Sequence, residues 1–234
     1  MDNRVGDRRK FLVGTGIGCS TLVLSGVTAG FALPPEEQKE TEEVSPAEDL
    51  MREHGALNRI LLIYDEELRR IRAKQDVDIS VLASAADIIR RFVEDYHEKL
   101  EEDHLFPRFR KANKLVPLVE TLLQQHQAGR KLTEQVRILA VADTLKDASR
   151  RQQLSDALHS FLRMYRPHEA REDTVLFPAF RGLVSGHEYD ALGEQFEKKE
   201  DELFGEDGFF KVVDQIAELE KRLGIYELAQ FTPH

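Results

Sequence analysis

The sequence predicts an all-α fold: an up-down-up-down four-helix bundle with two additional C-terminal helices. Apolar residues recur at spacings of three and four over long stretches, as on the buried face of a helix, and no stretch alternates as a strand does. One segment also occurs twice, because residues 97–110 read HEKLEEDHLFPRFR and residues 168–181 read HEAREDTVLFPAFR. A helix pair that is repeated once gives four helices, and antiparallel packing with short connections is their natural arrangement.

The composition excludes one large class of partner. The chain has 43 acidic and 33 basic residues and a formal net charge of -10 at pH 7. Nucleic-acid binding needs clustered positive charge, so no nucleic-acid partner is predicted. The single cysteine, Cys19, lies in the N-terminal apolar stretch, so no internal disulfide is expected.

Residues 1–32 resemble a twin-arginine export signal. Arg8 and Arg9 precede an apolar, glycine-rich run, and small residues near position 32 offer a cleavage site. This pattern predicts an exported, periplasmic protein that is handled by the Tat export machinery, which carries folded chains. An uncleaved membrane anchor is the alternative, since about 20 apolar residues can span a bilayer.

The folded part is predicted to begin at Ser45. Residues 33–44 are rich in Pro and Glu and read as a solvated, acidic linker, whereas Ser45 and Glu48 offer a capping box with Pro46 in the first turn. Residues 45–182 are predicted to form the bundle and residues 183–234 a C-terminal helical extension. The predicted helices are residues 46 to about 74, about 79 to just before 107, 116 to about 142, about 146 to 177, 186 to 203, and 209 to 223.

Prolines are predicted to shape the second and fourth helices. Each copy of the repeat contains Leu-Phe-Pro, and the residue before a proline is pushed out of the helical region, so both helices are predicted to end there. Pro167 inside the fourth helix removes one backbone donor and is predicted to disturb the turn before His168.

The repeat also carries candidate metal ligands. In each copy a His precedes a Glu by four residues, which places both side chains on one helix face, one turn apart. A lone His lies upstream of each copy, and the two lone His residues are 72 positions apart. The chain therefore contains two matching half-sites. The candidate ligands are His54, His97, Glu101, His126, His168 and Glu172.

These donors predict a site for two metal ions. Six ligands are too many for one tetrahedral zinc, and the two-fold repetition favours two ions, each held by a His pair and bridged by Glu101 and Glu172. Imidazole suits iron, zinc, copper or nickel, so the residues alone leave the metal open. A buried His–Glu hydrogen-bond network is the alternative, because buried carboxylates must be paired or bound to a cation.

The pattern resembles that of the hemerythrin-like, or HHE, domain. A lone His is followed by His-x-x-x-Glu before Leu-Phe-Pro, twice, over roughly residues 48–182. The resemblance implies a non-haem di-iron centre with two iron ions, bridged by an oxo or hydroxo species and two carboxylates, and held by the six candidate residues. It also implies that the site binds dioxygen or a related small oxidant. The electron donor is left open.

One position departs from the family. Oxygen-carrying hemerythrins have a further His four residues after the position of His126, and here that residue is Arg130, which cannot ligate because its guanidinium stays protonated. An open position, a water, or a carboxylate such as Glu98 or Glu169 could replace the missing ligand. Two alternative functions therefore remain: a di-iron redox enzyme acting on peroxide or nitric oxide, and a partner-binding bundle with a structural metal.

The other polar residues of the repeat are predicted to lie outside the site. Glu98 and Glu169 are about 100° around the helix from their His neighbours, which favours solvated positions. Glu102 and Asp173 are predicted to be surface charges. Tyr165 is predicted to be a core aromatic, with hydrogen bonding to a bound oxygen species as the alternative.

Overall fold

The computed structural model describes residues 44–233, and within this range the chain is all-α, without a β-strand. The predicted signal segment and nearly all of the predicted linker lie outside the described residues. None of the described helices is both long and apolar enough to span a membrane. The helices are α1 (Pro46–Ala73), α2 (Ile79–Ile88, continued through to Phe106–Lys111), α3 (Val116–Leu139), α4 (Ala148–Arg171, continued through to Phe177–Arg181), α5 (Gly186–Phe204) and α6 (Gly208–Leu223).

The predicted start of α1 is confirmed. The Ser45 hydroxyl accepts a hydrogen bond from the Glu48 amide, and the Glu48 carboxylate accepts one from the Ser45 amide. Asp78 and Asp147 accept hydrogen bonds from the first-turn amides of α2 and α4 in the same way. Each such N-cap stabilises its helix by about 1 kcal/mol.

The prediction that Leu-Phe-Pro ends α2 and α4 is wrong. Both helices pass through the motif because a π-helical segment precedes the proline. The amide of Phe106 donates to the carbonyl of Glu101, five residues back, and that of Phe177 donates to Glu172. In the wider π turn the carbonyls before Pro107 leave the i→i−4 pattern that a proline ring would disrupt. The π segments are Ile89–His97 and Glu101–Leu105 in α2 and Glu172–Leu176 in α4.

The disturbance predicted at Pro167 occurs elsewhere. Pro167 lies inside the α-helical segment Ala148–Arg171 and does not end it. The departure from α geometry follows at Glu172–Leu176, where the second candidate carboxylate is located. In both α2 and α4, therefore, a π segment begins at the candidate Glu, and π segments of this kind are frequent at functional sites.

The helices pack around a core that is rich in aromatic residues. Helices α2 and α4 each pack against both α1 and α3, while α6 packs against α1 and α2 and α5 packs against α1 and α6. Burial of each large apolar side chain contributes about 1.5–3 kcal/mol. The largest fully buried side chains include Tyr64, Phe92, Tyr96, Phe106, Phe109, Phe161, Tyr165, Phe177, Phe180 and Phe196.

Candidate metal centre

The structure brings the six candidate ligands together in the core. Helix α1 contributes one of them, α3 contributes one, and the two longer helices α2 and α4 contribute two each. All six are buried, with at most 4% of any residue exposed. Their donor atoms form two clusters, each within 4.8 Å: His54 with His97 and Glu101, and His126 with His168 and Glu172.

Glu172 approaches histidines from both repeats. Its Oε2 lies 3.1 Å from Nε2 of His168, one helical turn earlier, and 3.4 Å from Nε2 of His54 on α1. Its Oε1 lies 3.9 Å from Nε2 of His126. Glu172 therefore lies between the two clusters, as a bridging carboxylate would.

Glu101 occupies the equivalent position in the other repeat. Its Oε2 lies 3.9 Å from Nε2 of His97 on the same helix and 3.4 Å from Nε2 of His126 on α3. Each carboxylate thus contacts a His from its own repeat and one from the other. Both carboxylates therefore lie between the half-sites, where the sequence analysis expects bridging ligands.

The donor set fits bound metal. The Nε2 atoms of His54 and His97 are 3.0 Å apart. Two ligands at right angles on one ion, each about 2.1 Å from it, are also separated by about 3.0 Å. Both carboxylate oxygens of Glu101 and of Glu172, and Nε2 of His126, are buried without a hydrogen bond to any group in residues 44–233. Such atoms are costly unless a cation satisfies them, which argues against the alternative of a hydrogen-bonded His–Glu network.

Two acidic residues that were predicted to be surface charges hold ligand histidines instead. Nδ1 of His54 donates to Asp173 at 2.7 Å, and Nδ1 of His126 donates to Glu102 at 3.1 Å. Each acidic residue directly follows a candidate carboxylate of the opposite repeat. The signal was present in the sequence, since both copies carry an acid at this position, but the cross-repeat contact depends on helix packing.

The other two histidines have partners that the sequence analysis missed. Nδ1 of His97 donates to Glu53 at 2.8 Å, and Nδ1 of His168 donates to Gln125 at 2.9 Å. All four rings therefore engage Nδ1 outside the cluster and direct Nε2 into it. Such outer hydrogen bonds fix the tautomer and orientation of a metal-binding imidazole.

The Phe of each Leu-Phe-Pro covers one lone His. Phe106 stacks on His126 with ring centroids 5.5 Å apart, and Phe177 stacks on His54 at 5.4 Å, both at an interplanar angle of 23°. Each of these two π segments thus begins at a candidate Glu and is followed directly by a Phe ring that packs on a candidate His. The motif shapes the site and does not end the helices.

The prediction that Glu98 and Glu169 are solvated is wrong. They are 1% and 3% exposed. Glu98 accepts a hydrogen bond of 2.8 Å from the Tyr165 hydroxyl and pairs with Arg130 at 2.8 Å, while Glu169 accepts one of 3.0 Å from Asn58. Glu98 lies between two π-helical segments, whereas Glu169 lies in regular α geometry, so the burial of both follows from their partners on neighbouring helices.

Electrostatics give the metal-free cluster a defined protonation state. Burial alone would lower the pKa of His54, but the hydrogen bond to Asp173 and the nearby negative charge of Glu172 outweigh it and raise the pKa to about 10. Burial and repulsion by Glu172 raise the pKa of Glu101 well above its usual range. For Glu172, burial is outweighed by His168 and His54, which hold its pKa well below the usual range. In the metal-free chain His54 therefore keeps its proton at neutral pH, and Glu101 is more readily protonated than an ordinary carboxyl group.

Metal binding should release these protons. A cation competes with the proton on Glu101 and with the proton on His54, whose pKa is about 10, so affinity is expected to increase with pH across the neutral range. Calorimetric titration with Zn²⁺ in buffers of different ionisation enthalpy should detect protons released as the cluster fills. Affinity that is constant between about pH 6 and pH 8, with no proton release, would contradict this protonation state.

Comparison with known proteins identifies the family. The model of the hemerythrin HHE cation-binding domain matches residues 45–144 and again residues 118–231, so that the two copies of the repeat are matched in turn. Uncharacterized proteins Mb2018 from Mycobacterium bovis and Rv1995 from Mycobacterium tuberculosis are each 44% identical to the chain over 225 residues, covering 93% of this chain and 88% of the relative. No solved structure matches the chain significantly. The chain is a helical, metal-binding protein that belongs to the hemerythrin HHE cation-binding family.

Proposed function

We propose that the chain is an exported non-haem di-iron protein that binds dioxygen or a related small oxidant inside an up-down-up-down four-helix bundle. The two ions would be held by the four His Nε2 atoms and bridged by Glu101 and Glu172. The observation that carries the proposal is that each of these buried carboxylates lies near histidines of both repeats.

The donor set favours an open iron site over a closed structural zinc site. Imidazole together with carboxylate suits iron, and six protein donors shared by two ions leave positions for a small ligand, unlike a closed tetrahedral zinc site. Bound iron would supply one-electron redox chemistry. The chain itself orients the imidazoles through their Nδ1 hydrogen bonds, and the stacked Phe106 and Phe177 place apolar rings beside two of them.

The proposal of export is based on the N-terminal sequence. The Arg8-Arg9 pair followed by an apolar run supports handling by the Tat machinery and a periplasmic location, with an uncleaved anchor as the alternative. A pathway that carries folded proteins would allow the metal to be loaded before export.

The surroundings of Arg130 favour a second candidate, a di-iron enzyme acting on peroxide or nitric oxide. Arg130 pairs with Glu98 at 2.8 Å and with Glu102 at 2.7 Å, and its guanidinium is not among the donors of either cluster. The cluster of His126 and His168 therefore gains no ligand at the position where oxygen carriers have a fifth His. An ion with fewer protein ligands has more room for substrate.

The test exposes reduced, iron-loaded protein to each oxidant. The proposal expects optical absorption that appears when the reduced protein meets dioxygen, disappears when dioxygen is removed under inert gas, and can be cycled repeatedly without adding reductant. Steady turnover of peroxide or nitric oxide that is lost in Glu101→Ala and Glu172→Ala would favour the enzyme. Bound iron that reacts with none of these molecules would contradict both the oxidant-binding protein and the enzyme. A partner-binding bundle with a structural metal would then remain.

A further inference from the structure

The two half-sites differ in the groups that hold their imidazoles. In the first cluster, His97 donates to the carboxylate of Glu53. In the second, the equivalent ring of His168 donates to Gln125, a neutral amide. Glu53 and Gln125 occupy the same position of the repeat, one residue before each lone His. The sequence duplication has thus kept the hydrogen bond and changed the charge of its acceptor.

The acceptors of the two lone histidines also differ, with the more effective negative charge again in the first cluster. His54 donates to Asp173 at 2.7 Å, whereas His126 donates to Glu102 at the longer distance of 3.1 Å. Glu102 is shared with two cations, because Arg130 lies 2.7 Å from it and Lys99 also pairs with it. Its negative charge is therefore partly neutralised where it faces the imidazole.

The positive charge of Arg130 is present in only one copy of the repeat. Arg130 follows His126 by four residues, and the equivalent residue after His54 is Asn58. Asn58 donates to Glu169 as Arg130 does to Glu98, so the two pairs are structural equivalents with different charge. The second cluster has a guanidinium in its outer layer at the position where the first has an amide.

An anionic acceptor on Nδ1 increases the basicity of a ligating imidazole, and changes in such outer partners typically alter metal affinity by 10- to 100-fold. We infer that the two metal positions are unequal, and that the ion held by His54 and His97 binds more tightly than the ion held by His126 and His168. This inference rests on the proposed two-metal site and adds an order of filling to it. Glu53 and Gln125 are positioning residues that set the difference.

The experiment titrates the metal-free chain with Co²⁺, followed by its visible absorption, in competition with a chelator of known affinity. Two steps are expected, separated by roughly 10- to 100-fold in affinity. Gln125→Glu should strengthen the weaker step by about tenfold and leave the tighter one nearly unchanged, whereas Glu53→Gln should weaken the tighter step. Gln124→Glu adds the same charge at the neighbouring exposed position and should change neither step.

The possible failures are distinguishable. Two Co²⁺ ions that bind with equal affinity, or a Gln125→Glu variant that behaves like Gln124→Glu, would overturn the inequality while leaving the two-metal site intact. A weaker step that responds to Glu53→Gln would reverse the assigned order and also overturn it. A chain that binds no Co²⁺ would overturn the proposed metal function together with this inference. Circular dichroism of each variant establishes that the helices are retained.

Discussion

Glu172→Gln is expected to abolish retention of both metal ions. The Glu172 carboxylate lies within 3.4 Å of Nε2 of His54 and His168 and contacts His126 as well, so it serves both clusters. Glutamine keeps the shape but removes the charge that would offset two cations. Because changes in outer partners already cost 10- to 100-fold, loss of a bridging ligand should weaken binding by more than about 100-fold.

The measurement is metal content after loading with Fe²⁺ and desalting. Glu202→Gln provides a matched control, since it makes the same substitution at an exposed residue of α5 that pairs with Lys199 on the surface. The control should retain as much iron as the unmodified chain. If Glu172→Gln also retained it, the carboxylate could not be a bridging ligand.

Gly129→Ala is expected to destabilise the protein although alanine is the better helix former. A Cβ at Gly129 in α3 would lie 2.0 Å from the hydroxyl oxygen of Tyr165 and 2.8 Å from its Cζ. The hydroxyl is held there by its hydrogen bond of 2.8 Å to Glu98. Overpacking of this kind costs about 1–3 kcal/mol in the free energy of unfolding.

Gly55→Ala is the matched control. It also lies in the interior of a helix, but a Cβ there would have no heavy atom within 4 Å, so the substitution should stabilise by roughly 0.5–1 kcal/mol. Chemical denaturation of the metal-free chains measures both changes. Adding Tyr165→Phe to Gly129→Ala should recover part of the loss, because the closest atom is removed. Equal stabilisation by both glycine substitutions would refute the close approach.

The duplicated pattern made the ligand cluster predictable. Helical periodicity placed the candidate ligands on inward faces, and the doubled His-x-x-x-Glu raised them above the many buried histidines that only pack. Arg130 was excluded as a donor on chemical grounds, because its guanidinium stays protonated. These features are local, so one sequence was enough to find them.

The outer layer of the site was not predictable in the same way. Asp173 and Glu102 look like surface charges on their own helices, and only the packing of α4 on α1 and of α2 on α3 brings them to His54 and His126. The π segments were not predictable either, because a proline such as Pro107 normally marks a helix boundary. Glu98 and its repeat equivalent Glu169 are buried by partners on neighbouring helices, which the pattern of a single helix does not reveal.

A pair of metal ions in the His/Glu cluster is best tested by the metal content and optical spectrum of the unmodified protein, purified from its native cell. We expect about two irons per chain, one for each half-site of three donors. Zinc in the cluster, or a chain that holds no metal after careful handling, would contradict it.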